Sequence, residues 1–329
     1  MSDLRYDPVF DLWVAVAESR RDRPIEFVPV EQTFKQLICP FCCGNEEETP
    51  PEIFRLDEKG CRLTGGGPSD WQARVIPNKY PTYFENGQEI TQNEGPYRQA
   101  KVSGTQELII PTPRHVFSLT ELSGREFEIG LLASQMRIEH NEAQESLKHN
   151  MLFANCRYEA GASVAHVHFQ LIASPIVSPQ LQRRQLAAEK YRKENSTSLL
   201  ASILDHELQS QVRVVAETNN LVMFCPFASR YAFQVWIVPK ANVGAWVETP
   251  MSVLSELCDL SSRYLKRIEM LLSEPAYNWM LHQLPMGEHN EPWFIEIVPR
   301  IAKNAGYEIG TDIWINPVAP EVAARRLKS

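Results

Sequence analysis

The stretch Gly161-Ala162-Ser163-Val164-Ala165-His166-Val167-His168-Phe169-Gln170 carries two histidines and a glutamine at alternate positions. This alternation of polar and apolar residues is typical of a half-buried strand, which we predict over Val164–Ala173. Because successive side chains of a strand point to opposite faces, His166, His168 and Gln170 are expected to share one surface. The apolar side chains between them are expected to pack into the core: Val167, Phe169 and Leu171.

This segment has the side chains needed to transfer a phosphorus-containing group by way of a covalent intermediate. A neutral imidazole nitrogen is nucleophilic near neutral pH, and the phosphoramidate it forms is reactive enough to pass the group on. The amide of Gln170 can donate to phosphoryl oxygens, and the small residues Gly161–Ser163 let backbone amides and a hydroxyl approach a phosphate closely. A His-x-His pattern alone is equally consistent with a half-exposed strand that carries two incidental histidines. The surrounding sequence has to separate these two interpretations.

The overall composition favours a globular protein that acts on a small ligand. The chain has 329 residues, enough for about two domains, and its formal net charge of −8 argues against a broad surface for nucleic acid. No apolar run approaches the ~20 residues that a membrane-spanning helix needs, and the first residues form no hydrophobic signal core. Seven cysteines, an odd number, indicate a reducing compartment rather than a disulfide framework. We therefore expect a cytoplasmic protein with neither nucleic-acid nor membrane partners.

Periodicity divides the chain into strands and helices, with strands and loops dominating to about residue 115. Helices are predicted in four segments: Ser118–Glu145, Gln180–Asn195, Leu199–Leu208 and Met251–Leu272. Further strands are predicted at Met151–Ala154, Val212–Val215 and Leu221–Phe224. Because strands resume after the helices of residues 180–208, we place a domain boundary in this region, which gives domains 1–195 and 196–329.

The two halves share an order of elements that predicts a degenerate tandem duplication. Arg74–Tyr80 parallels Met223–Ser229, and Glu107–Pro111 parallels Val235–Pro239. In each half a helical stretch and further strands follow these pairs. Chance similarity between short apolar strands is the competing explanation. Only the first copy contains the two histidines.

Several motifs together resemble the galactose-1-phosphate uridylyltransferase family of the histidine-triad superfamily, including its ADP-glucose phosphorylase-like members. The central ones are Asn155, Gly161–Ser163, His166-x-His168-x-Gln170 and Leu171–Pro175. Others follow in the family's order over nearly the whole chain: Arg5–Pro8, Arg20–Pro24, Cys39–Cys42, Thr112–Leu122, Phe224–Lys240 and Gly306–Pro317. The resemblance implies an α+β fold of tandem histidine-triad-like domains, each an antiparallel sheet flanked by helices, of which the second lacks the catalytic histidines.

The resemblance also implies roles for individual residues. His168 corresponds to the histidine that is uridylylated, and Gln170 to the residue that steadies the nucleotide phosphate. Other positions are implied in substrate binding: Asn155 and Ser163 at the phosphate, Asn78 at the nucleoside, Arg20 and Arg23 at the nucleotide sugar across a dimer interface, and Tyr307 near the hexose phosphate. We therefore expect a homodimer that binds a nucleotide sugar and a hexose 1-phosphate, although exposed arginines are common without any such role.

A metal site is predicted near the N-terminus. Cys39-x-x-Cys42 has the spacing that holds one tetrahedral zinc, although a reduced pair without metal is the alternative. The resemblance completes a structural site with His115 and His166, and Cys43 is a possible substitute ligand.

A second metal, which some members bind through a late His-x-His, is predicted to be absent or weak. The corresponding segment, Trp293–Pro299, contains no histidine, and His282 and Glu296 are possible remnants of such a site. Val167 also replaces the proline that the family usually has between the motif histidines, which removes a constraint on the backbone beside His168.

The resemblance implies a ping-pong transfer in which His168 takes UMP from UDP-glucose, releases glucose 1-phosphate and passes UMP to galactose 1-phosphate. One alternative keeps this mechanism but transfers AMP from ADP-glucose to phosphate. A second is a histidine-triad nucleotide hydrolase, which chain length and the duplicated half argue against. A third is a non-catalytic, zinc-stabilised protein that binds nucleotide sugars. The retention of His168 and Gln170 argues against loss of turnover.

Overall fold

The computed structural model describes residues 2–17, 38–65, 70–83, 92–99, 102–241, 244–288 and 290–328. Two small sheets lie outside the main one. The first has the order β1 (Ser2–Asp7), β2 (Leu12–Ala17) and β15 (Trp314–Asn316), in which β1 and β2 are antiparallel and β15 runs parallel to β2. The second is the hairpin of β5 (Gln92–Glu94) and β6 (Tyr97–Gln99).

Ten strands form one continuous antiparallel sheet in the order β10-β11-β12-β14-β13-β8-β9-β7-β4-β3. The first half of the chain supplies β3 (Phe54–Leu56), β4 (Ala73–Pro77), β7 (Thr105–Ile110), β8 (His149–Cys156) and β9 (Phe169–Ser174). The second half supplies β10 (Val214–Glu217), β11 (Leu221–Phe224), β12 (Val235–Pro239), β13 (Tyr277–His282) and β14 (Phe294–Pro299).

Six α-helices lie in the described part of the chain: α1 (Gly124–Glu142), α2 (Pro179–Asn195), α3 (Leu199–Ser210), α4 (Met251–Leu272), α5 (Gly306–Thr311) and α6 (Pro320–Lys328). The predicted bounds of α4 are confirmed, and those of α2 and α3 differ by one or two residues. The helix predicted from Ser118 begins later, because Ser118 caps a short 3-10 turn and Ser123 caps α1 itself. None of these helices is long and apolar enough to cross a membrane.

The two halves repeat one topology. Each contributes five strands in matching order, with α1 between β7 and β8 and α4 between β12 and β13. Strands β8 and β13 join the halves by antiparallel pairing, with Asn155 opposite Asn278 and Phe153 opposite Met280. The expected α+β fold with tandem antiparallel sheets is thus confirmed, and the two sheets merge into one. The domain boundary near residue 195 stays a prediction.

The main core lies between this sheet and helices α1 and α4, which contact each other. Phe169 of β9 packs there against Phe127 of α1 and Trp279 of β13. The opposite face carries two smaller clusters. One includes Phe41 and Leu108 in the first half, and the other centres on Trp236 of the second half and on Phe10, which lies between β1 and β2. The alternation along β9 directs His168 and Gln170 toward this opposite face.

Candidate functional site

The histidine segment reaches β9 through an extended stretch anchored to the turn before α1. The amide of Val167 donates to the carbonyl of Val116 at 2.8 Å. The strand itself begins only at Phe169, so the predicted start at Val164 was wrong: this single bond to a turn replaces a strand ladder. The predicted alternation nevertheless holds for packing, because Val167 and Phe169 belong to the main core. Valine is therefore accommodated between the two histidines as a core residue.

His168 is held as a neutral imidazole, and among the residues that the structure describes only its Nδ1 has a hydrogen-bond partner. Its Nδ1 lies 2.8 Å from the carbonyl oxygen of His166, and since a carbonyl only accepts, Nδ1 carries the proton. Burial lowers the pKa of His168, which leaves Nε2 unprotonated and nucleophilic at neutral pH. The ring of Phe41 packs edge-on against His168, with centroids 5.1 Å apart. Phe41 thus connects the cysteine loop directly to the candidate nucleophile.

Residues predicted to contact a phosphate flank His168. Asn155 stands one position beyond the Ala154–Phe169 pair of β8 and β9, which puts it beside His168 on the neighbouring strand. Gly161 has a φ of +93°, a conformation that favours glycine, and a Cβ there would come 3.5 Å from the amide nitrogen of Asn155.

Two further predicted residues complete this surface. Ser163 is exposed next to the glycine turn, and Gln170 is half-buried on β9. The β9 strand and the turn before it thus bring one imidazole and several neutral donors to one face of the sheet.

One residue of this surface, Asn278 on β13, is not among the predicted site residues. Its side-chain nitrogen donates to Oδ1 of Asn155 at 2.8 Å and to the carbonyl of Ala160 at 2.9 Å. Asn278 belongs to the half that lacks the motif histidines, so no local motif points to it. Only the register between β8 and β13 brings it to this position.

For the other predicted substrate positions, the described residues show no contact with the histidine segment, or the position falls outside those residues. Asn78 follows β4, and its side-chain oxygen accepts the amide of Tyr80 at 2.9 Å. Tyr307 lies in α5 and is 51% exposed, and no hydrogen bond or ring contact within the described ranges joins it to the histidine segment. Arg20 and Arg23 fall outside the residues that the structure describes.

Cys39, Cys42, His115 and His166 come together as the sequence predicted, with their ligand atoms all within 4.8 Å of one another. The Sγ of Cys42 is 3.2 Å from Nδ1 of His115, and the Sγ of Cys39 is 3.6 Å from Nδ1 of His166. Bonds of ~2.3 Å to sulfur and ~2.1 Å to nitrogen at a tetrahedral ion separate S and N ligands by about 3.6 Å. The two sulfur–nitrogen separations are close to this value, so the four side chains could hold a metal ion.

The protonation states in this cluster also fit a cation. Nε2 of His166 donates to the carbonyl of Thr112 at 3.1 Å, which leaves Nδ1 free to face the sulfurs. Burial lowers the pKa of His166 to about 4, so the ring is neutral at pH 7. Burial and a hydrogen bond with Cys39 raise the pKa of the Cys42 thiol to about 12. A bound cation reverses that last effect, because it favours the thiolate.

Glu126, in the first turn of α1, accepts hydrogen bonds that hold the turn at residues 112–116 in place. The Glu126 carboxylate accepts from the hydroxyl of Thr112 and from the guanidinium of Arg114, each at 2.6 Å. The same turn accepts the amide of Cys43 at the carbonyl of Pro113, at 3.1 Å. Glu126 thus holds a turn that contacts the cysteine loop, orients one histidine ligand and carries another.

The chain is similar over its full length to known nucleotidyl-transferring enzymes. The chain is 32% identical over 336 residues to the ADP-glucose phosphorylase of Arabidopsis thaliana, an alignment that covers 99% of this chain and 92% of that protein. It is 26% identical to the galactose-1-phosphate uridylyltransferase of Thermotoga maritima, over 100% of this chain and 98% of the relative. The chain belongs to the galactose-1-phosphate uridylyltransferase family. This family includes ADP-glucose phosphorylase-like members.

A solved structure agrees with this assignment. The crystal structure of an ADP-glucose phosphorylase from Arabidopsis thaliana with bound ADP-glucose superimposes with a TM-score of 0.85, at 29% identity, over 100% of this chain and 99% of that one. A family model described as a domain of unknown function, DUF4921, matches residues 132–329. Unlike this partial match, the alignments with the two relatives and with the solved structure extend over both halves of the sheet.

In the second half, the positions that match the histidine site are occupied differently. The parallel of Glu107–Pro111 with Val235–Pro239 matches Ile109 to Ile237. These two residues pair with Phe169 and Ile295, so Glu296 is the counterpart of Gln170. By the same register Phe294 takes the place of His168.

The possible remnants of a second metal site are engaged with each other and with arginines. Nε2 of His282 lies 2.9 Å from the Glu296 carboxylate, which also accepts from Arg230 at 2.8 Å. Arg184 donates to Nδ1 of His282 at 3.3 Å. A metal would have to displace both guanidinium groups, so this donor set does not fit one. The absence of a second metal stays a prediction.

The first testable prediction concerns the anchor of the turn. Burial acts to raise the pKa of Glu126, but hydrogen bonds from Arg114 and Thr112 outweigh it and lower this pKa to about 2. The anchor therefore stabilises the fold above the ordinary carboxyl pKa of about 4.5 and is lost as pH falls toward 2. Glu126→Gln should lower the free energy of unfolding at pH 7 by about 1–3 kcal/mol, and the difference from wild type should shrink at pH 3.

Denaturant unfolding at both pH values measures this, and Glu128→Gln is the matched control. Glu128 lies on the same helix and also pairs with an arginine, Arg125, at 3.1 Å, but both partners belong to α1, so among the described residues the Glu128 carboxylate holds no turn outside the helix. The control should change the free energy of unfolding little. An equal loss in the two variants, or a loss for Glu126→Gln that is unchanged at pH 3, would rule out the charged anchor.

Proposed function

We propose that this chain is a nucleotidyltransferase that works through a covalent nucleotidyl-histidine at His168. The observation that carries the proposal is the hydrogen bond from Nδ1 of His168 to the carbonyl of His166, which leaves Nε2 as the free nucleophile. The amides of Asn155 and Gln170 border the same surface as neutral donors for phosphoryl oxygens.

The reaction proceeds in two balanced displacements. In the first, Nε2 of His168 bonds to the α-phosphorus of a nucleotide sugar while the bond between this phosphorus and the bridging oxygen breaks, and a sugar 1-phosphate leaves. In the second, a phosphate oxygen of the acceptor attacks the same phosphorus and the P–N bond breaks. The proton stays on Nδ1, which donates it in a hydrogen bond to the His166 carbonyl throughout, and the imidazole returns to its initial state. Positioning and charge stabilisation supply the rest of the catalysis.

ADP-glucose and inorganic phosphate are the substrates we propose first. The similarity to the ADP-glucose phosphorylase of Arabidopsis thaliana, at 32% identity and a TM-score of 0.85 for such an enzyme, supports this choice over the one implied by the motifs alone. UDP-glucose with galactose 1-phosphate is the second candidate, supported by 26% identity to the Thermotoga maritima uridylyltransferase over the full chain. Both use the same histidine and differ in the base and in the acceptor.

The metal we propose for Cys39, Cys42, His115 and His166 is one zinc ion. Two sulfur and two neutral imidazole ligands in tetrahedral spacing suit zinc, and a set of four protein ligands leaves no open position for catalysis. Its role would be to hold the cysteine loop, and with it Phe41, against His168.

A homodimer is the assembly we propose. The guanidinium of Arg157, next to the site, pairs with Glu274 at 2.7 Å. Because Glu274 already neutralises this guanidinium, we propose that further cationic donors for the substrate come from a second chain. Arg20 and Arg23 are the candidates for these donors. Sedimentation of the purified protein measures the assembly, and a monomer at catalytic concentrations would exclude this arrangement.

The function is tested by labelling with nucleotide sugars that carry radioactive phosphorus at the α position. With ADP-glucose, we expect acid-labile label on the wild-type protein and its release as ADP when phosphate is added. With UDP-glucose, we expect little label. Labelling by UDP-glucose, with transfer to galactose 1-phosphate, would favour the second candidate. A protein that takes no label from either compound would contradict the proposed function.

His168→Ala should abolish both labelling and turnover while the protein stays folded, because the side chain supplies the covalent step and its neighbours supply the packing. The control is His206→Ala, which removes an exposed histidine of α3. It should label and turn over as wild type does. Substantial turnover by folded His168→Ala protein would exclude His168 as the nucleophile.

Cys42→Ser should lower zinc content and melting temperature together, because the binding free energy of a structural ion is also folding free energy. Cys61→Ser is the control, since Cys61 is an exposed free thiol that lies outside the cluster. It should change neither quantity. Metal analysis of freshly purified wild-type protein that finds no zinc would contradict the assignment of this ion.

A further inference from the structure

Asn278 links the two sides of the candidate phosphate site from the opposite half of the chain. It lies on β13, directly opposite Asn155 in the pairing of β13 with β8. Its side-chain nitrogen lies 2.8 Å from Oδ1 of Asn155 and 2.9 Å from the carbonyl of Ala160. Ala160 ends the short turn that precedes Gly161.

The carbonyl of Ala160 fixes the orientation of both amides. A backbone carbonyl only accepts hydrogen bonds, so the atom of Asn278 that faces it must be the nitrogen. The same nitrogen faces Asn155, and a donor there requires the oxygen of Asn155. The nitrogen of Asn155 must then point the other way, toward Gly161, where a Cβ would lie 3.5 Å from it. Two protons of one amide therefore decide which end of Asn155 faces the turn.

We infer that Asn278 is a positioning residue that presents the amide nitrogen of Asn155 to the phosphate of the nucleotide sugar. This inference rests on the proposed function, because Asn155 is a phosphate donor only if that function holds. Without Asn278, the amide of Asn155 is free to turn its oxygen toward an anionic phosphate, which would repel it. The half that has no motif histidines thus contributes to the transfer carried out by the other half.

Asn278→Asp tests this directly, because it replaces the donor by a carboxylate of nearly the same shape. Asn155 would then turn its nitrogen toward the new carboxylate and its oxygen toward the phosphate. We expect the single-turnover rate of nucleotidyl-histidine formation to fall by ~100-fold, the usual effect of losing one donor at a developing charge. Asn278→Ala, which leaves Asn155 free to adopt either orientation, should reduce the rate by about 10-fold and serves as the second variant if the aspartate disturbs folding.

A double-mutant cycle separates positioning from a general structural effect. Asn155→Ala removes the donor that Asn278 orients, so Asn278→Asp should change the rate by less than about 3-fold in that background. If the two residues acted independently, a ~100-fold loss from each substitution would multiply to a total loss of ~10,000-fold in the double variant. Asn195→Asp, an exposed asparagine at the end of α2, is the matched control and should react as wild type does.

The possible outcomes distinguish this inference from the proposed function. If the wild-type protein forms no nucleotidyl-histidine with either nucleotide sugar, the proposed function fails. If wild type forms it and Asn278→Asp reacts at the wild-type rate, or if the two substitutions multiply in the cycle, Asn278 has no positioning role. Near-complete overlap of the two effects in folded protein is the result expected.

Discussion

The antiparallel pairing of β8 with β13 is the interaction on which the rest of the structure depends. Each half of the chain builds five strands, and without this pairing each would leave an inner strand edge with unpaired amides and carbonyls. The pairing closes both edges at once and gives one ten-stranded sheet with a shared core under α1 and α4. It also places Asn278 opposite Asn155. Joining the halves and completing the candidate phosphate site are therefore one structural event.

A second constraint acts through the turn at residues 112–116. Three of its carbonyls accept hydrogen bonds from different parts of the candidate site: Thr112 from the His166 ring, Pro113 from the cysteine loop and Val116 from the amide of Val167. Glu126 holds this turn against the start of α1. The metal cluster and the proposed nucleophile thus share one rigid support, so a metal that orders the cysteine loop also restricts His168, both through this turn and through the ring of Phe41.

The two halves use the same backbone positions for opposite purposes. Around His168, neutral groups border the proposed phosphate site. At the equivalent positions of the second half, Glu296 is buried with Arg230 and His282, and although burial acts to raise its pKa, these partners hold the pKa well below its usual range. The ring of Phe10 contacts both arginines: its centre is 5.4 Å from the guanidinium of Arg184 and 4.3 Å from that of Arg230. Internal charges therefore satisfy one another at these positions of the second half.

The sequence alone determined the features that depend on local pattern. Polar and apolar alternation identified His168, Gln170 and the core positions Val167 and Phe169, and ligand type with resemblance identified the four residues of the metal cluster. Two element starts differ from the prediction for local reasons. Capping by Ser123 makes α1 begin after Ser118, and the bond of Val167 to the turn makes β9 begin only at Phe169. Only the tertiary structure revealed Glu126 and Asn278, because each acts on residues far away in the chain: Asn278 lies 123 positions from Asn155. Periodicity specifies which face a side chain takes, but strand register between distant segments specifies which side chains meet.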